Sequence, residues 1–288
     1  MKSVIDNIGN TPLVHLQNAF QNRKIFLKLE GQNPGGSLKD RVAKFLIERA
    51  LERGYLKPGI RILEATSGNM GIALAMVGAA KGIGVTIVMS EGMSVERQQM
   101  IRAFGAELIL TDRADGTIGA RRKVSQLLEQ YPDTFWFANQ FDNTDNPLAH
   151  ETGLAVEILK QMPEVQTIVV GVGTSGTAVG LARFFKKNAP HVRVIGVLPP
   201  PGFGVQGLQH PDGDFRPQIW TPKDLKTVLI SQKSSFSAAR EIAKREGLML
   251  GQSSGAVLAA IAQGNFEEPI IGISADRGEK YLSTALFP

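Results

Sequence analysis

Apolar residues recur along the chain with two spacings, one typical of helices and one typical of strands. Between Lys39 and Arg53 they fall three or four positions apart, at Val42, Ala43, Leu46, Ile47, Ala50 and Leu51. That spacing gathers them on one face and predicts an amphipathic helix over this segment. Short runs rich in Val, Ile and Leu, such as 25–30 and 84–90, instead have the length and composition of buried strands.

The two kinds of segment alternate along most of the chain. Predicted strands occupy 25–30, 61–65, 84–90, 106–111, 166–172, 192–198, 226–231 and 269–275. Predicted helices occupy 39–53, 69–81, 95–104, 117–130, the stretch ending at Phe185, 235–246 and 253–263. This alternation favours an α/β protein with parallel-rich sheets and helices on both faces. The segment 199–222, with six prolines and four glycines, is predicted to be a long loop.

The overall composition is that of an ordinary soluble globular protein. The 288 residues suffice for one large domain or for two lobes around a shared cleft. The net charge of +5 is spread along the chain, and its densest basic group, Arg121–Lys123, is typical of a solvated helix face. No nucleic-acid-binding motif accompanies it, so we expect no nucleic-acid partner. A modest positive charge also suits small anionic ligands.

Several classes of site are excluded by residue types and their spacing. The chain has no cysteine, which rules out disulfides, thiolate catalysis and cysteine-based metal sites. No metal site is expected from the four histidines, because they are far apart, at His15, His150, His191 and His210. The N-terminus lacks an apolar signal core, and Gly, Ser or Thr interrupt both long uncharged stretches, 167–182 and 248–266. A cytoplasmic protein that does not enter the membrane is therefore expected.

Lys39 stands at an unusual place in its predicted helix. The preceding Asn-Pro-Gly-Gly is a turn signal, and Ser37 with Asp40 has the spacing of a capping box. Lys39 would then lie in the first turn, where the helix dipole disfavours a cation by up to about 1 kcal/mol. One interpretation is a solvated surface lysine that tolerates this cost. The other is a lysine whose neutral amine is meant to react, for example by forming a Schiff base.

Three further segments open a helix with small hydroxyl-bearing residues, and the first two of them directly follow a predicted strand. They are EATSGNMG at 64–71, GVGTSGT at 171–177 and GQSSGA at 251–256. Each can be an ordinary helix cap or an anion site made of backbone N–H groups, and for the third segment the cap alone is the better explanation. The second matches G-x-G-x-x-G, but the next strand ends at Leu198 without the acidic residue that a dinucleotide requires. A phosphate monoester suits it better. A reactive amine, a phosphate site and a second anion site together are what a pyridoxal-phosphate enzyme needs.

The same segments, in the same order, resemble the fold-type-II pyridoxal-phosphate enzymes. The resemblance is carried by NPGGSLKDR at 33–41, EATSGNMGIALA, GTSGT and GQSSGA, and IGNTPLV at 8–14 and GAELIL at 105–110 extend it to nearly the whole chain. Within these enzymes the sequence is most similar to the cysteine synthases, also called O-acetylserine sulfhydrylases. Ala65 and the ending DRGEKYLST at 276–284 resemble their B isozyme.

The resemblance implies a role for each motif. Lys39 would hold pyridoxal phosphate as a Schiff base and act as the catalytic base, Asn69 would contact the cofactor's 3′-oxygen, and Ser253 its pyridine nitrogen. The phosphate would lie on Gly173, Thr174, Ser175, Gly176 and Thr177. The substrate carboxylate would lie on Thr66, Ser67, Gly68, Asn69, Met70 and Gln140. A smaller mobile lobe would span 36–143, a larger cofactor-binding lobe 1–35 with 144–288, and the chain would form a homodimer.

The implied reaction is a β-replacement that makes L-cysteine from O-acetyl-L-serine and sulfide, or S-sulfocysteine if thiosulfate is the donor. Met70 replaces the family's usual threonine, TGLAVEI at 152–158 replaces its usual T-G-P-E-I, and Gln209-His210 replaces arginines of the B isozyme. The first two departures could retune substrate binding without changing the reaction class, and the third leaves the choice between sulfide and thiosulfate open. A sister enzyme is the second hypothesis: an O-phosphoserine sulfhydrylase, a cystathionine β-synthase-like enzyme or a serine/threonine dehydratase. A non-catalytic scaffold that binds serine acetyltransferase also stays open, although such a scaffold has no use for Lys39.

Overall fold

The structure contains two sheets, each with its own helices. It is a computed structural model that describes residues 3–211, 216–220 and 225–287. The six-stranded sheet has the order β1-β2-β10-β7-β8-β9, and only β1 runs antiparallel to its neighbour. Its strands are β1 Leu13–His15, β2 Ile25–Leu29, β7 Thr167–Gly171, β8 Arg193–Leu198, β9 Lys226–Leu229 and β10 Ile270–Ser274.

The four-stranded sheet is parallel throughout, with the order β5-β4-β3-β6. Its strands are β3 Arg61–Ala65, β4 Val85–Ser90, β5 Glu107–Thr111 and β6 Phe135–Phe137. Alternate residues of β3 enter different cores, since Ile62 packs with α1 and α2 while Leu63 packs with α4 on the opposite face. The bounds of these helices are α1 Lys39–Glu52, α2 Asn69–Lys81, α3 Val95–Ala103 and α4 Gly116–Gln130.

Helices cover both faces of the six-stranded sheet as well. α9 packs against one face with Val257 and Ile261, and α7 packs against the other with Leu181 and Phe185. The helices of this part are α5 Asp145–Ala149, α6 Ala155–Gln161, α7 Gly176–Asn188, α8 Gln232–Glu246 and α9 Gln252–Gln263. A single π-helical turn, His150–Leu154, joins α5 to α6. The predicted α/β class is confirmed.

The observed elements differ from the predicted ones at several places. All eight predicted strands are present, but β1, β6 and the α5–α6 segment were missed. β1 and β6 have three residues each, too few to show a period. α8 begins three residues earlier than predicted, because Ser231 caps it by accepting the N–H of Ser234.

The predicted capping box at the start of α1 is wrong. Leu38, not Ser37, occupies the N-cap position. Ser37 forms a β-bridge with Asp276, and its Oγ accepts the N–H of Lys39 at 3.3 Å. The reciprocal bond of a capping box is the part that does not form, because Asp40 accepts the N–H of Gly35 instead.

Candidate active site

The carboxyl ends of the parallel strands of both sheets open onto one cleft. The segment after β3 begins α2, the segment after β7 begins α7, and the segment after β10 carries Asp276. The cleft has a volume of about 780 Å³, which is enough for a cofactor together with a small substrate. Most of the predicted site residues line it: Lys39, Thr66, Ser67, Asn69, Met70, Gln140, Gly173, Thr174, Ser175, Thr177 and Ser253.

Lys39 is the first residue of α1, as predicted, and its side chain enters the cleft. Its Nζ donates to Thr174 Oγ1 at 3.3 Å. Burial lowers the pKa of Lys39 to about 8, and the nearby carboxylate of Glu64 opposes this shift only in part. Near pH 7 the neutral fraction of this amine is therefore larger than that of an ordinary lysine. A nucleophilic amine or a general base must be in the neutral form to react.

Glu64 lies beneath the cleft and was missed from the sequence. It is fully buried near the end of β3, and its carboxylate accepts the N–H of Ala65 at 3.0 Å and of Gln140 at 3.1 Å. Burial raises the pKa of Glu64 to about 7, against the lowering effect of these two hydrogen bonds. The sequence did contain a signal for this residue, because a glutamate inside a predicted buried strand is rare unless it has a specific partner.

The predicted phosphate loop, 173–177, has the shape of an anion site. Ser175 takes a left-handed conformation, with φ of 74°, and α7 begins immediately after it at Gly176. The Oγ of Ser175 is buried and has no hydrogen-bond partner among the residues that the structure describes. A helix start with free N–H groups and an unpartnered buried hydroxyl suits a phosphate monoester.

Two residues that the sequence analysis did not single out hold this loop. Asn146 Nδ2 donates to Thr174 Oγ1 at 3.0 Å and to the Gln140 carbonyl at 2.6 Å, which joins the phosphate loop to the predicted substrate loop. The His150 Nε2 lies 3.2 Å from Thr177 Oγ1. Burial, aided by the charges of Lys39 and Arg41, lowers the pKa of His150 well below its ordinary value, so the ring is neutral.

The predicted substrate residues are divided between the cleft and the core. Ser67 is exposed toward the cleft, and Gln140 lies in its wall. Gly68 donates its N–H to Thr66 Oγ1 at 3.1 Å, and it is not among the lining residues. Met70 touches the cleft, but 99% of it is buried and it packs in the α1–α2 core. Its influence on a substrate would therefore be indirect.

The remaining predicted contacts lie on the α9 side and on the 199–211 segment. Ser253 is the second residue of α9 and is largely buried where Gly171 and Gly207 approach it. Gly176 starts α7 against Asn146, where any side chain would collide, and it does not line the cleft. Gln209 and His210 line the cleft opening, as does Phe203, which is 70% exposed.

Two arginines of the cleft were misjudged or missed. Arg121 was assigned to a solvated helix face, but it lines the cleft and its guanidinium lies 5.1 Å from the ring centroid of Phe141. Arg97 is buried, lies over the Tyr281 ring at 4.4 Å and donates to Gln206 Oε1 at 2.7 Å. Cations therefore flank the cleft, which agrees with an anionic ligand.

Over residues 3–211, 216–220 and 225–287, no cluster of three or more histidine or acidic side chains has the arrangement of a metal site. Within the same ranges, no helix combines the length and the apolar character that crossing a membrane would require.

Comparison with known proteins identifies the family. The family described as "Pyridoxal-phosphate dependent enzyme" matches residues 4–274, and the chain belongs to it. The chain is 40% identical to "Cysteine synthase" of Aquifex aeolicus, over 99% of this chain and 92% of the relative. It is 39% identical to "Cysteine synthase B" of Escherichia coli, over 100% of this chain and 96% of the relative. The resemblance noted in the sequence is thereby confirmed.

Solved structures share the fold over the whole chain. "O-Acetyl Serine Sulfhydrylase isoform 3" from Entamoeba histolytica aligns with a TM-score of 0.91 and 39% identity, covering 100% of this chain and 91% of that one. "O-ureido-L-serine synthase" aligns with a TM-score of 0.91 and 34% identity, covering 100% and 95%. The chain therefore shares the fold of both proteins over its whole length.

The residues of the cleft suit pyridoxal phosphate, the cofactor of this family. Lys39 supplies an amine with a lowered pKa. At the start of α7, a phosphate oxygen would be the hydrogen-bond partner that the buried Oγ of Ser175 lacks among the described residues. The roles of the individual residues toward the cofactor and the substrate stay predictions.

Proposed function

We propose that this protein is a cysteine synthase, a transferase that replaces the β-substituent of O-acetyl-L-serine with sulfide. The Cβ–O bond breaks and acetate leaves, then a Cβ–S bond forms and L-cysteine is released. The observation that carries the proposal is the pairing of Lys39 with the helix start at 173–177 across the cleft. The cysteine synthases among its relatives support this reaction over other reactions of the family.

Each part of the cleft would have one task in this reaction. Lys39 would hold the cofactor's aldehyde carbon and, once the substrate amine takes its place, remove the proton from the substrate Cα and later return one. The 173–177 loop would hold the phosphate, Asn69 the 3′-oxygen, and the neutral hydroxyl of Ser253 the pyridine nitrogen. Pyridoxal phosphate, when bound, supplies the electron sink that makes the Cα proton acidic.

The substrate would be held by its carboxylate at the start of α2. The backbone N–H groups and hydroxyls of 66–69 would receive it, together with Gln140. Because this loop belongs to the proposed smaller lobe, 36–143, a bound carboxylate would favour the closed position of that lobe over the open one. Equal lobe angles with and without substrate would reject this movement. The homodimer, the cytoplasmic location and the binding of serine acetyltransferase rest on the family resemblance alone.

We propose sulfide as the preferred sulfur donor. Thiosulfate is a larger dianion and needs a cation at the cleft opening, where Gln209 and His210 stand in place of the arginines of the B isozyme. S-sulfocysteine formation from thiosulfate should accordingly be the slower reaction.

A panel of acceptors and donors tests the function. Purified protein with pyridoxal phosphate is given O-acetyl-L-serine or O-phospho-L-serine with sulfide, thiosulfate or homocysteine, and each product is measured. We expect acetate and L-cysteine to form fastest, and Lys39→Ala to abolish them. Lys44→Ala, on the same helix but not among the cleft-lining residues, is the matched control. Preference for O-phospho-L-serine or for homocysteine would indicate a sister enzyme. No turnover with any pair would leave a serine/threonine dehydratase or the scaffold, which are separated by measuring 2-oxo acid formation from L-serine and L-threonine.

A further inference from the structure

Lys280 lies behind the cleft, in the short 3₁₀ helix Gly278–Tyr281 that follows β10. Only 3% of it is exposed. Its Nζ donates to the carbonyls of Gly35 at 3.1 Å and Gly36 at 3.0 Å, and to Asn69 Oδ1 at 3.0 Å. Three acceptors are as many as an ammonium group has hydrogens, so Lys280 is fully engaged.

This ammonium and a neighbouring carboxylate fix the amide of Asn69. Asn69 Oδ1 faces Lys280, which can only donate, and Asn69 Nδ2 donates to Asp276 Oδ2 at 2.7 Å. Turning the amide over would place its NH₂ against the ammonium and its oxygen against the carboxylate. The charges of Lys280 and Asp276 therefore permit one orientation only.

Asp276 is itself held in place. Tyr281 donates its hydroxyl to the same carboxylate oxygen at 2.8 Å, and burial, reinforced by the Asp276 charge, raises the pKa of Tyr281 so that it stays a donor. The carbonyl of Asp276 accepts the N–H of Gly251, the residue before α9. Leu38 donates its N–H to the carbonyl of Ala275 at 2.8 Å. The segment 275–281 thus contacts the Lys39 turn, Asn69 and the start of α9.

We propose that Lys280 is a positioning residue for the cofactor. It holds the oxygen of the Asn69 amide, so that one N–H of the amide NH₂ group donates to Asp276 and the other points to the cofactor's 3′-oxygen. This inference rests on the proposed cofactor contact of Asn69. Lys280 also holds the turn at Gly35 and Gly36, three residues before Lys39, so one side chain aligns both groups that would meet the same edge of the cofactor.

A double-mutant cycle separates positioning from simple stabilisation. The dissociation constant for pyridoxal 5′-phosphate and the visible absorbance band of the bound cofactor are measured for wild type, Lys280→Met, Asn69→Ala and the double variant. We expect Lys280→Met to weaken binding about tenfold, because a fixed donor is lost, and to shift the absorbance band. In the Asn69→Ala background the same change should cost clearly less, because only the contribution through the turn at Gly35 and Gly36 is left. Lys280→Arg, which keeps the donors, should restore most of the affinity.

Lys280→Gln gives a second route if Lys280→Met does not fold. An amide at 280 accepts or donates equally well, so it no longer dictates the orientation of Asn69, and affinity should fall more when Asn69 is present than in the Asn69→Ala background. Equal losses with and without Asn69 in either cycle would overturn the proposal, as would an unshifted absorbance band. These readouts need no turnover. Wild type that binds pyridoxal phosphate without using O-acetyl-L-serine would reject the proposed substrate alone, whereas wild type that does not bind it would reject both.

Discussion

Two groups of buried charge lie on opposite sides of helix α1 and differ in how they are paired. The rear ion cluster, formed by Lys28, Glu30, Arg41 and Glu157, has two positive and two negative groups. Arg41 Nε contacts Glu30 Oε2 at 2.6 Å, and Arg41 Nη1 contacts Glu157 Oε1 at 2.7 Å. Lys28 Nζ contacts Glu157 Oε2 at 2.9 Å and the Thr11 carbonyl at 2.6 Å. Burial alone would raise the pKa of Glu157, but Arg41 lowers it to about 2.

The cleft side of the same helix is poorly paired. Lys39 stands two residues before Arg41, about 200° around the helix, and its ammonium makes one hydrogen bond, at 3.3 Å. Among the described residues, Ser175 Oγ lines the cleft and is buried without a partner. The same holds for one polar atom each of Asn146, His150 and Asp276, whose other atoms contact the lining residues Thr174, Thr177 and Asn69. Burial without partners is costly, so a fold keeps such groups where a ligand completes them. Both sets of polar groups are buried, but they differ in their partners. The paired charges of the rear ion cluster stabilise the fold, whereas the poorly paired groups of the cleft are available to a ligand.

The largest expected effect is that of Lys39→Ala on turnover. Loss of the amine removes both the cofactor attachment and the base, so the rate should fall roughly 100- to 10,000-fold, and the visible absorbance of the bound cofactor should vanish. The free energy of unfolding of the cofactor-free protein should change little, because the ammonium is poorly paired. Turnover near the wild-type rate would contradict the assignment.

Glu30→Gln should have the opposite pattern. It leaves Arg41 with a buried charge that is only partly compensated, and we expect the free energy of unfolding to fall by about 3–5 kcal/mol. Urea denaturation of the cofactor-free protein measures it, with Lys39→Met as the matched change on the cleft side. Equal losses in the two variants would show that the two sides of α1 do not differ as described.

Ser175→Ala should weaken pyridoxal phosphate binding roughly 10- to 100-fold, the equivalent of one hydrogen bond to a charged group. Fluorescence titration of the cofactor-free protein gives the dissociation constant. Ser125→Ala, on α4 and exposed, serves as the control. Unchanged affinity would mean that the buried hydroxyl does not receive the phosphate.

The rate at which pyridoxal phosphate attaches should follow the ionisation of Lys39. Only the neutral amine reacts, so the rate should rise about tenfold per pH unit well below the pKa and level off above it. The midpoint should fall near pH 8, where burial places the pKa of Lys39. Initial rates of absorbance change from pH 6 to 9.5 decide this. A rate that still rises steeply above pH 9 would show that the pKa of Lys39 is that of an ordinary lysine.

Gln209→Arg should have the smallest effect. A partly exposed cation at the cleft opening contributes up to about 1 kcal/mol, so thiosulfate use should rise no more than roughly fivefold, with sulfide use unchanged. Steady-state rates with both donors measure it. A wild type that already prefers thiosulfate, and gains nothing from the arginine, would show that this segment does not select the donor.

Local patterns sufficed to predict the elements that carry the site, but not the partners that complete it. The α1 periodicity and the three hydroxyl-rich helix starts are each readable within about ten residues of sequence. Asn146 and Lys280 are not, because the topology brings them to Thr174 and Asn69 from distant parts of the chain. The capping box failed for a local reason, since Asp40 accepts the N–H of Gly35 in the preceding turn.

Chemical trapping tests the central claim most directly. The protein is loaded with pyridoxal phosphate and reduced with borohydride, which fixes the cofactor to the lysine that holds it, and the modified residue is located by peptide mapping. The poorly paired amine of the cleft should carry the label, so one modified peptide should contain Lys39, with Lys28 and Lys280 unmodified. Label on a paired buried lysine, or spread over the surface lysines, would contradict the account.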